Sequence, residues 1–320
     1  MSPLLTVKNL TKHFPVSHRL FFAGKKRLRA LDGISFEVAE GETLGIVGES
    51  GSGKSTAART ILRLIEPTGG EVIFDGQDIM KLQGETLRKF RKNAQMIFQD
   101  PYASLNPRLT IGEIIEEPMK YHGFDDHTDR KEKVMSLLRE VGLHPDYHAR
   151  FPFQFSGGQR QRIGIARALS LQPRLIIADE PVSALDVSVQ AQILNLFMDL
   201  QYVHKFTYIF IAHDLSVVKH ISNRIAVMYL GEIVEIAEKH ELFKNPLHPY
   251  TQALISAIPE PNPLKKRSRI ILTGDIPSPI DVPKGCRFYS RCRFCTVLCR
   301  DERPKPFEKN GHKTLCHLYH

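Results

Sequence analysis

The sequence predicts an α/β protein with a mostly parallel sheet and a helical insertion. Apolar segments of strand length alternate with stretches of helical spacing, which is typical of a parallel sheet. The strand-like segments lie at 43–47, 71–75, 94–98, 174–179 and 206–212. From Asn245 onward Pro, Lys and Arg become frequent and the periodicity weakens. We therefore predict a core at 1–99 and 173–244, a mostly helical insertion at 100–172 and a C-terminal appendage at 245–320.

Each element has its own local signal. A helix is predicted after the first of these strands, because apolar side chains recur with helical spacing and stop before Pro67. Its predicted face consists of Ala58, Ile61, Leu62 and Ile65. Similar faces predict helices around Val134–Val141 and Val189–Leu200. Alternation at Ile34, Phe36 and Val38 predicts a strand, and residues 224–236 predict a hairpin that turns at Gly231, so part of the fold is antiparallel.

The composition is that of a globular protein. Of 320 residues, 42% are apolar and 25% are charged, which excludes a disordered chain, a collagen and a small disulfide scaffold. The longest apolar run, 206–212, is far shorter than the 18 or so residues of a membrane-spanning helix, and the N-terminus lacks the apolar stretch of a signal peptide. We therefore expect a cytosolic chain, for which any membrane role must come through a partner. The net charge of +9 is concentrated in 1–31 and 263–320.

Residues 48–56 match G-x-x-x-x-G-K-[ST] between a predicted strand and a predicted helix, as that pattern requires. Glycines let backbone N–H groups curl around a phosphate, and the helix start adds its positive dipole end. Lys54 is expected to neutralise the β- and γ-phosphates, and Ser55 to bind Mg²⁺. This predicts a nucleotide-binding core of the P-loop NTPase (RecA-like) type. The predicted binding residues are Gly48, Ser50, Gly51, Ser52, Gly53, Lys54, Ser55 and Thr56.

A second candidate site follows the apolar strand 175–178, which ends in Asp179 and Glu180. The carboxyl ends of parallel strands are where α/β proteins bind ligands. Asp179 is expected to hold Mg²⁺, usually through water, and Glu180 to orient and deprotonate the attacking water. Two acids after a strand are by themselves more often a helix N-terminus. The neighbouring phosphate loop is what favours the catalytic interpretation.

Ser156, Gly157, Gly158 and Gln159, preceded by Phe155, resemble the signature sequence of the ATP-binding-cassette (ABC) ATPases, with Phe where Leu is commoner. The segment lies between the phosphate loop and Asp179, which is the family's order. Ser156 is also a good N-cap for a helix running to about Leu171, and a helix start can bind an anion. The resemblance implies that two chains enclose two ATP molecules, with this segment of one chain meeting the ATP on the phosphate loop of the other. ATP binding would then close the dimer, and hydrolysis would reopen it.

Further positions match the same family in order. Gln99 resembles the glutamine that senses Mg²⁺ and the attacking water, Asp186 belongs to a segment that resembles the loop contacting the second subunit, and His213 resembles the histidine at the γ-phosphate. The resemblance therefore implies catalysis by Glu180, His213 and Gln99, and Mg²⁺ bound through Ser55, Gln99 and Asp179.

The aromatic residue that stacks on adenine is less well defined. Phe14 is our candidate, and Phe21 and Phe22 compete with it because residues 17–29 resemble an insertion.

Residues 98–107 and 245–251 are similar to the ATPase subunits of dipeptide and oligopeptide importers. That resemblance implies an ATPase at the cytoplasmic face of the cell membrane, beneath two integral-membrane permease subunits. It also implies a second ATPase subunit, usually a non-identical paralogue although a homodimer stays open, and an extracytoplasmic peptide-binding protein that acts indirectly. Because the ATPase does not touch the cargo, nickel, sugars and antimicrobial peptides remain alternatives.

The competing function is a soluble ABC ATPase that acts on nucleic acid. The basic tail and the cysteines are compatible with it. A single cassette, the lack of a long coiled coil and the importer-like stretches count against it, so we expect no nucleic-acid partner.

All five cysteines lie between Cys286 and Cys316. In a cytosolic chain such a cluster indicates a metal site, and four thiolates can hold Zn²⁺ or a [4Fe–4S] cluster. Spacing alone makes zinc at least as good a candidate. The resemblance favours iron–sulfur, because members of this importer branch carry a cluster on the positions of Cys286, Cys292, Cys299 and Cys316, which leaves Cys295 spare. The charge of such a cluster would be offset by Arg287, Arg291, Arg293 and Arg300.

Overall fold

The computed structural model describes residues 2–16, 26–124, 126–259 and 269–320. Its strands are β1 (Leu5–Pro15), β2 (Arg27–Val38), β3 (Thr43–Val47), β4 (Gly69–Phe74), β5 (Gln77–Asp78), β6 (Ala94–Ile97), β7 (Leu175–Asp179), β8 (Thr207–Ala212), β9 (Arg224–Tyr229), β10 (Glu232–Glu238), β11 (Pro306–Lys309) and β12 (His312–Leu315). Its α-helices are α1 (Lys54–Ile61), α2 (Gly84–Asn93), α3 (Ile111–Tyr121), α4 (His127–Glu140), α5 (Gly157–Leu169), α6 (Val187–His204), α7 (Leu215–Ile221), α8 (Lys239–Lys244), α9 (Pro249–Ser256) and α10 (Val297–Asp301).

The chain divides into two compact units. The first contains Ala39–Thr43 and Asp78–Ile211, and the second contains Pro3–Val38, Leu44–Gln77 and Ala212–His320. The three-part division expected from the sequence stays a prediction. Across the described ranges, no helix combines the length and the apolar character needed to cross a bilayer.

The first unit is built on the parallel strands β8, β7 and β6, in that order. All of β7 and β8 is buried, which explains why both read as continuous apolar segments. The core beside them contains Phe197 of α6, whose ring meets Tyr208 and Phe210 edge-on with centroids 5.5 Å away. Helices α3, α4 and α5 follow β6 and precede β7 along the chain, and they pack on one another. This is the part of the chain where a mostly helical stretch was predicted.

The second unit contains two groups of strands. In one, β1 pairs antiparallel with both β2 and β4. In the other, β3 lies parallel to β9, and β9, β10, β12 and β11 follow as antiparallel neighbours. Strands β3 and β9 bring the start of the phosphate loop beside the β9–β10 hairpin. That hairpin turns at Leu230 and Gly231, whose φ values of 44° and 78° suit a type I′ turn, as the sequence predicted.

One prediction of detail was wrong. Helix α1 ends at Ile61 rather than Ile65, because Arg63 adopts a left-handed φ of 50° and its guanidinium Nε lies 3.0 Å from the Glu66 carboxylate. The appendage, where the periodicity of the sequence weakens, forms β11 and β12, and β12 pairs with β10. Four-residue strands are too short for their pattern to be recognised without the partner strand.

Candidate functional site

The phosphate loop follows β3, and the sequence of the loop suits its backbone. Gly53 has a left-handed φ of 104°, and a Cβ there would overlap the carbonyl of Ala30. Within the loop, the Lys54 ammonium donates to the carbonyls of Gly48 at 2.8 Å and Glu49 at 3.1 Å. The Ser52 amide donates to the Glu49 carbonyl at 3.1 Å. Ser55 and Thr56 occupy the first turn of α1, where the helix dipole favours an anion.

The loop residues fit a bound phosphate. Lys54 is buried, with 4% of its surface exposed, and a buried ammonium favours a nearby anion. The Ser52 hydroxyl is also buried and has no hydrogen-bond partner in the described part of the chain. Buried polar groups of this kind normally have partners, and a phosphate oxygen would supply one.

The loop has support that the sequence analysis missed. The Glu49 amide donates to the Tyr250 hydroxyl at 2.9 Å, and both oxygens of the Glu49 carboxylate face Arg291 at 2.6 and 3.1 Å. Tyr250 in turn packs on Tyr229 and Phe288, with ring centroids 4.8 and 5.4 Å away. The only signal was the importer-like stretch 245–251, which carried no role for Tyr250.

The first unit brings Gln99 and Glu180 together. The Gln99 amide Nε2 donates to the Glu180 carboxylate at 3.1 Å. Asp179, at the end of β7, is 1% exposed. Glu180 then turns out of the strand with a φ of 48°, its amide donating to the Ile211 carbonyl and its own carbonyl accepting from the Ser183 amide and hydroxyl. This arrangement, a side-chain amide beside a carboxylate, is the one that the roles predicted for Gln99 and Glu180 require.

The segment Ser156–Gln159 begins α5, as predicted. The Ser156 hydroxyl accepts from the Gln159 amide at 3.3 Å, and the Gln159 side chain accepts from the Ser156 amide at 3.0 Å, forming a capping box. A Cβ on Gly158 would lie 2.5 Å from Cγ1 of Val189 on α6. Glycine at this position therefore allows the start of α5 to lie against the start of α6.

Asp186 is the N-cap of α6. Its carboxylate accepts from the Val189 amide at 3.0 Å and from the Ser188 hydroxyl at 2.7 Å, and these bonds lower the pKa of Asp186. Ser156 and Asp186, predicted from separate motifs, thus cap two helices whose first turns are in contact.

The remaining predicted residues are one histidine and three phenylalanines. His213 is exposed at the end of β8. Phe14 of β1 is half-buried, and the Lys12 ammonium lies 4.8 Å from its ring centroid. Phe21 and Phe22 lie outside the described residues. The roles assigned to these residues, and to the others above, stay predictions.

The predicted metal site is not formed. In the part of the chain that the structure describes, no three or more His, Cys, Asp or Glu side chains are arranged to hold a metal ion. Burial, together with the neighbouring sulfurs of Cys292 and Cys299, raises the pKa of Cys286 to about 12 and of Cys316 to about 11.

Two of the four arginines that were expected to offset the charge of a cluster have other partners. Arg287 forms ion pairs with the carboxylates of Asp32 and Glu232, and Arg291 forms one with Glu49. Neither arginine is therefore available to offset the charge of a cluster. Arg293 still lowers the pKa of Cys292, against a larger effect of burial.

Two protein families match different parts of this chain. Residues 31–183 match the family described as ABC transporter, and residues 234–299 match the oligopeptide/dipeptide transporter C-terminal region. The chain is 55% identical over 320 residues to the oligopeptide transport ATP-binding protein AppF of Bacillus subtilis, covering 99% of this chain and 97% of that protein. It is 47% identical over 317 residues to the di/tripeptide transport ATP-binding protein DppF of Pseudomonas aeruginosa, covering 99% and 98%.

A solved structure confirms the predicted α/β core. It is a dimeric ATP-binding cassette in a post-hydrolysis state with ADP and Pi, 33% identical, with a TM-score of 0.65 over 73% of this chain and 98% of that one.

Proposed function

This chain belongs to the ATPases of ABC transporters, in the group that carries the oligopeptide/dipeptide transporter C-terminal region, and from that premise we propose that it powers peptide import. The observation that carries the proposal is the near-full-length similarity to peptide-transport ATP-binding proteins, which includes the appendage as well as the phosphate loop. No observation favours nickel, sugar or antimicrobial-peptide cargo, or a nucleic-acid substrate.

The chain is an ATPase, and we propose the following roles for its residues. Lys54 neutralises the transferred phosphate, and Glu180 removes a proton from the attacking water. Gln99 holds the Glu180 carboxylate and orients that water, which the 3.1 Å hydrogen bond between them supports. Mg²⁺, held through Ser55, Asp179 and Gln99, would offset the charge that develops on the phosphate oxygens.

We propose that ATP closes a dimer of two such ATPases. The start of α5 of one subunit would meet the γ-phosphate on the phosphate loop of the other, with His213 contacting the same phosphate. The start of α5, which is capped by the neutral hydroxyl of Ser156, supports this proposal, because helix N-termini attract anions. The dimeric cassette to which this chain is similar supports it too. Phe14 is our proposed adenine-stacking residue.

We propose that the ATPase pair lies at the cytoplasmic face of the membrane under two permease subunits, with a peptide-binding protein on the other side. The test is affinity purification of the tagged chain from its native membranes in mild detergent, followed by mass spectrometry. An untagged strain is the control. Recovery of two multi-span permeases with a sister ATPase supports the proposal and shows whether the dimer is mixed. Recovery of nucleic acid and its processing enzymes without a membrane protein contradicts it.

We propose that Cys286, Cys292, Cys299 and Cys316 hold a [4Fe–4S] cluster, with Zn²⁺ as the alternative. The sulfurs of Cys299, Cys316 and Cys292 each contribute to raising the pKa of Cys286, which supports the proximity of the four. Anaerobically purified protein should contain iron and acid-labile sulfide at about four each per chain. Cys299→Ser should lose them, whereas the matched variant Cys295→Ser should keep them. Stoichiometric zinc without iron contradicts the cluster and supports the alternative.

A further inference from the structure

The phosphate loop is held on its outer side by an arginine from the appendage. The two guanidinium nitrogens of Arg291 reach the two oxygens of Glu49, Nη1 to Oε2 at 2.6 Å and Nη2 to Oε1 at 3.1 Å. This is the bidentate geometry in which arginine binds a carboxylate most strongly. The Arg291 side chain is 8% exposed and that of Glu49 27%, so solvent screens the pair less than a surface ion pair.

Glu49 is connected to the phosphate-binding lysine. Its carbonyl accepts from the Lys54 ammonium and from the Ser52 amide, each at 3.1 Å. Its amide donates to the Tyr250 hydroxyl. Arg291 therefore holds the side chain of Glu49, and Tyr250 holds its amide. The carbonyl of Glu49 in turn positions Lys54.

A second arginine is connected to the loop through the β9–β10 turn. The Arg287 side chain is 2% exposed and donates to the Leu230 carbonyl and the Asp32 carboxylate. The next residue after Leu230, Gly231, donates its amide to the Ser52 carbonyl at 2.8 Å. Arg287 thus anchors the β9–β10 turn that contacts the loop.

We propose that Arg291 is a positioning residue for the phosphate loop. Through Arg291, the segment Cys286–Cys292 sets the affinity of the loop for ATP. The segment carries both arginines, and it begins and ends at a cysteine. Its attachment to the loop makes nucleotide affinity depend on how well the appendage is ordered. The inference concerns nucleotide binding alone, so it stands whether or not the transported cargo is peptide.

The test is the dissociation constant for ATP measured by calorimetry without Mg²⁺, which prevents turnover, together with kcat and KM for MgATP. Arg291→Ala should weaken ATP binding and raise KM about five- to thirtyfold, because a partly buried bidentate pair is lost. The kcat at saturating MgATP should stay within about threefold, since no catalytic group moves. Arg291→Lys should recover part of the affinity. The matched control is Lys313→Ala, which removes the cation of an exposed ion pair with Glu308 in the same appendage.

Glu49→Gln provides an independent measurement that leaves the appendage intact. It should weaken ATP binding like Arg291→Ala, and the double variant should be no weaker than the worse single variant, because both changes remove one interaction. Full additivity of the two effects would overturn the proposal. Unchanged ATP affinity in folded Arg291→Ala or Glu49→Gln would overturn it too, as would a loss confined to kcat. If Arg291→Ala does not fold, Arg291→Lys and Glu49→Gln decide the question.

Discussion

Glu180, the proposed general base, is held in an unusual backbone conformation. A left-handed φ in a non-glycine residue costs on the order of 1–3 kcal/mol. Here the φ of 48° is maintained because the Glu180 amide and carbonyl make hydrogen bonds to Ile211 and Ser183. These bonds direct the carboxylate away from the buried strand, and Gln99 then holds it.

We expect Glu180→Gln to bind ATP normally and to release phosphate at least about 100-fold more slowly, because the amide cannot accept a proton. Steady-state phosphate release and ATP binding measure the two effects separately. Glu66→Gln is a matched control, since the Glu66 carboxylate is exposed and lies 3.0 Å from the Arg63 guanidinium on a surface turn. Near-normal turnover in Glu180→Gln would exclude it as the base.

His248 makes the stability depend on pH. It is buried, and burial lowers its pKa to about 4, which the Glu235 carboxylate only partly opposes. Its Nδ1 accepts from the Tyr250 amide at 3.1 Å, so the folded chain needs the neutral ring. The ordinary value is about 6.5. Between pH 6.5 and 4 the unfolded chain binds a proton that the folded chain does not, so stability falls as the pH falls.

The expected loss from His248 is up to about 3 kcal/mol across that window, and urea unfolding at several pH values between 7 and 5 measures its upper part. His248→Asn keeps an N-cap acceptor for α9 without a titrating ring. Its unfolding free energy should therefore vary less between pH 7 and 5 than that of the natural chain. An equal slope in both proteins would contradict the assignment.

At the scale of elements, the contact between α5 and α6 depends on Gly158. A Cβ there would lie 2.5 Å from Cγ1 of Val189, so Gly158→Ala must displace the Val189 side chain or one of the two helix starts. We expect it to destabilise the chain by about 1–3 kcal/mol in urea unfolding and to lower ATPase activity. Adding Val189→Ala should restore much of both. Gly164→Ala on the same helix has open space, and it should be neutral or stabilising by up to about 1 kcal/mol.

The elements also show what a sequence can predict. The hairpin at Gly231 and the cap at Ser156 could be predicted because their signals are local: a left-handed turn residue and a side chain that bonds three residues on. The end of α1 at Ile61 depends on the conformation of Arg63, and the pairing of β12 depends on β10, about 80 residues earlier. The partner of Arg291 was missed for the same reason. Its carboxylate, Glu49, is 242 residues away.

At the scale of the whole molecule, the appendage completes a sheet. Glu235 of β10 is buried and its carboxylate accepts from the amides of Leu247 and His248, while His312 of β12 lies 2.7 Å away. Removing residues 306–320 deletes β11 and β12 and takes His312 from this carboxylate. We expect a loss of about 3–5 kcal/mol and concentration-dependent association through the exposed edge of β10. Removing His320 alone is the control, and light scattering and urea unfolding are the measurements.

The pairing of β10 with β12 also has a consequence while the ribosome synthesises the chain. Strand β10 meets β12 only after the ribosome has made some 80 further residues, because His312 and Glu235 are 77 positions apart. At 5–20 residues per second, the nascent chain carries an open strand edge for roughly 4–16 s. Translation speed over the part of the message between β10 and β12, and any chaperone that covers this edge meanwhile, should therefore influence how much of the chain reaches its native state.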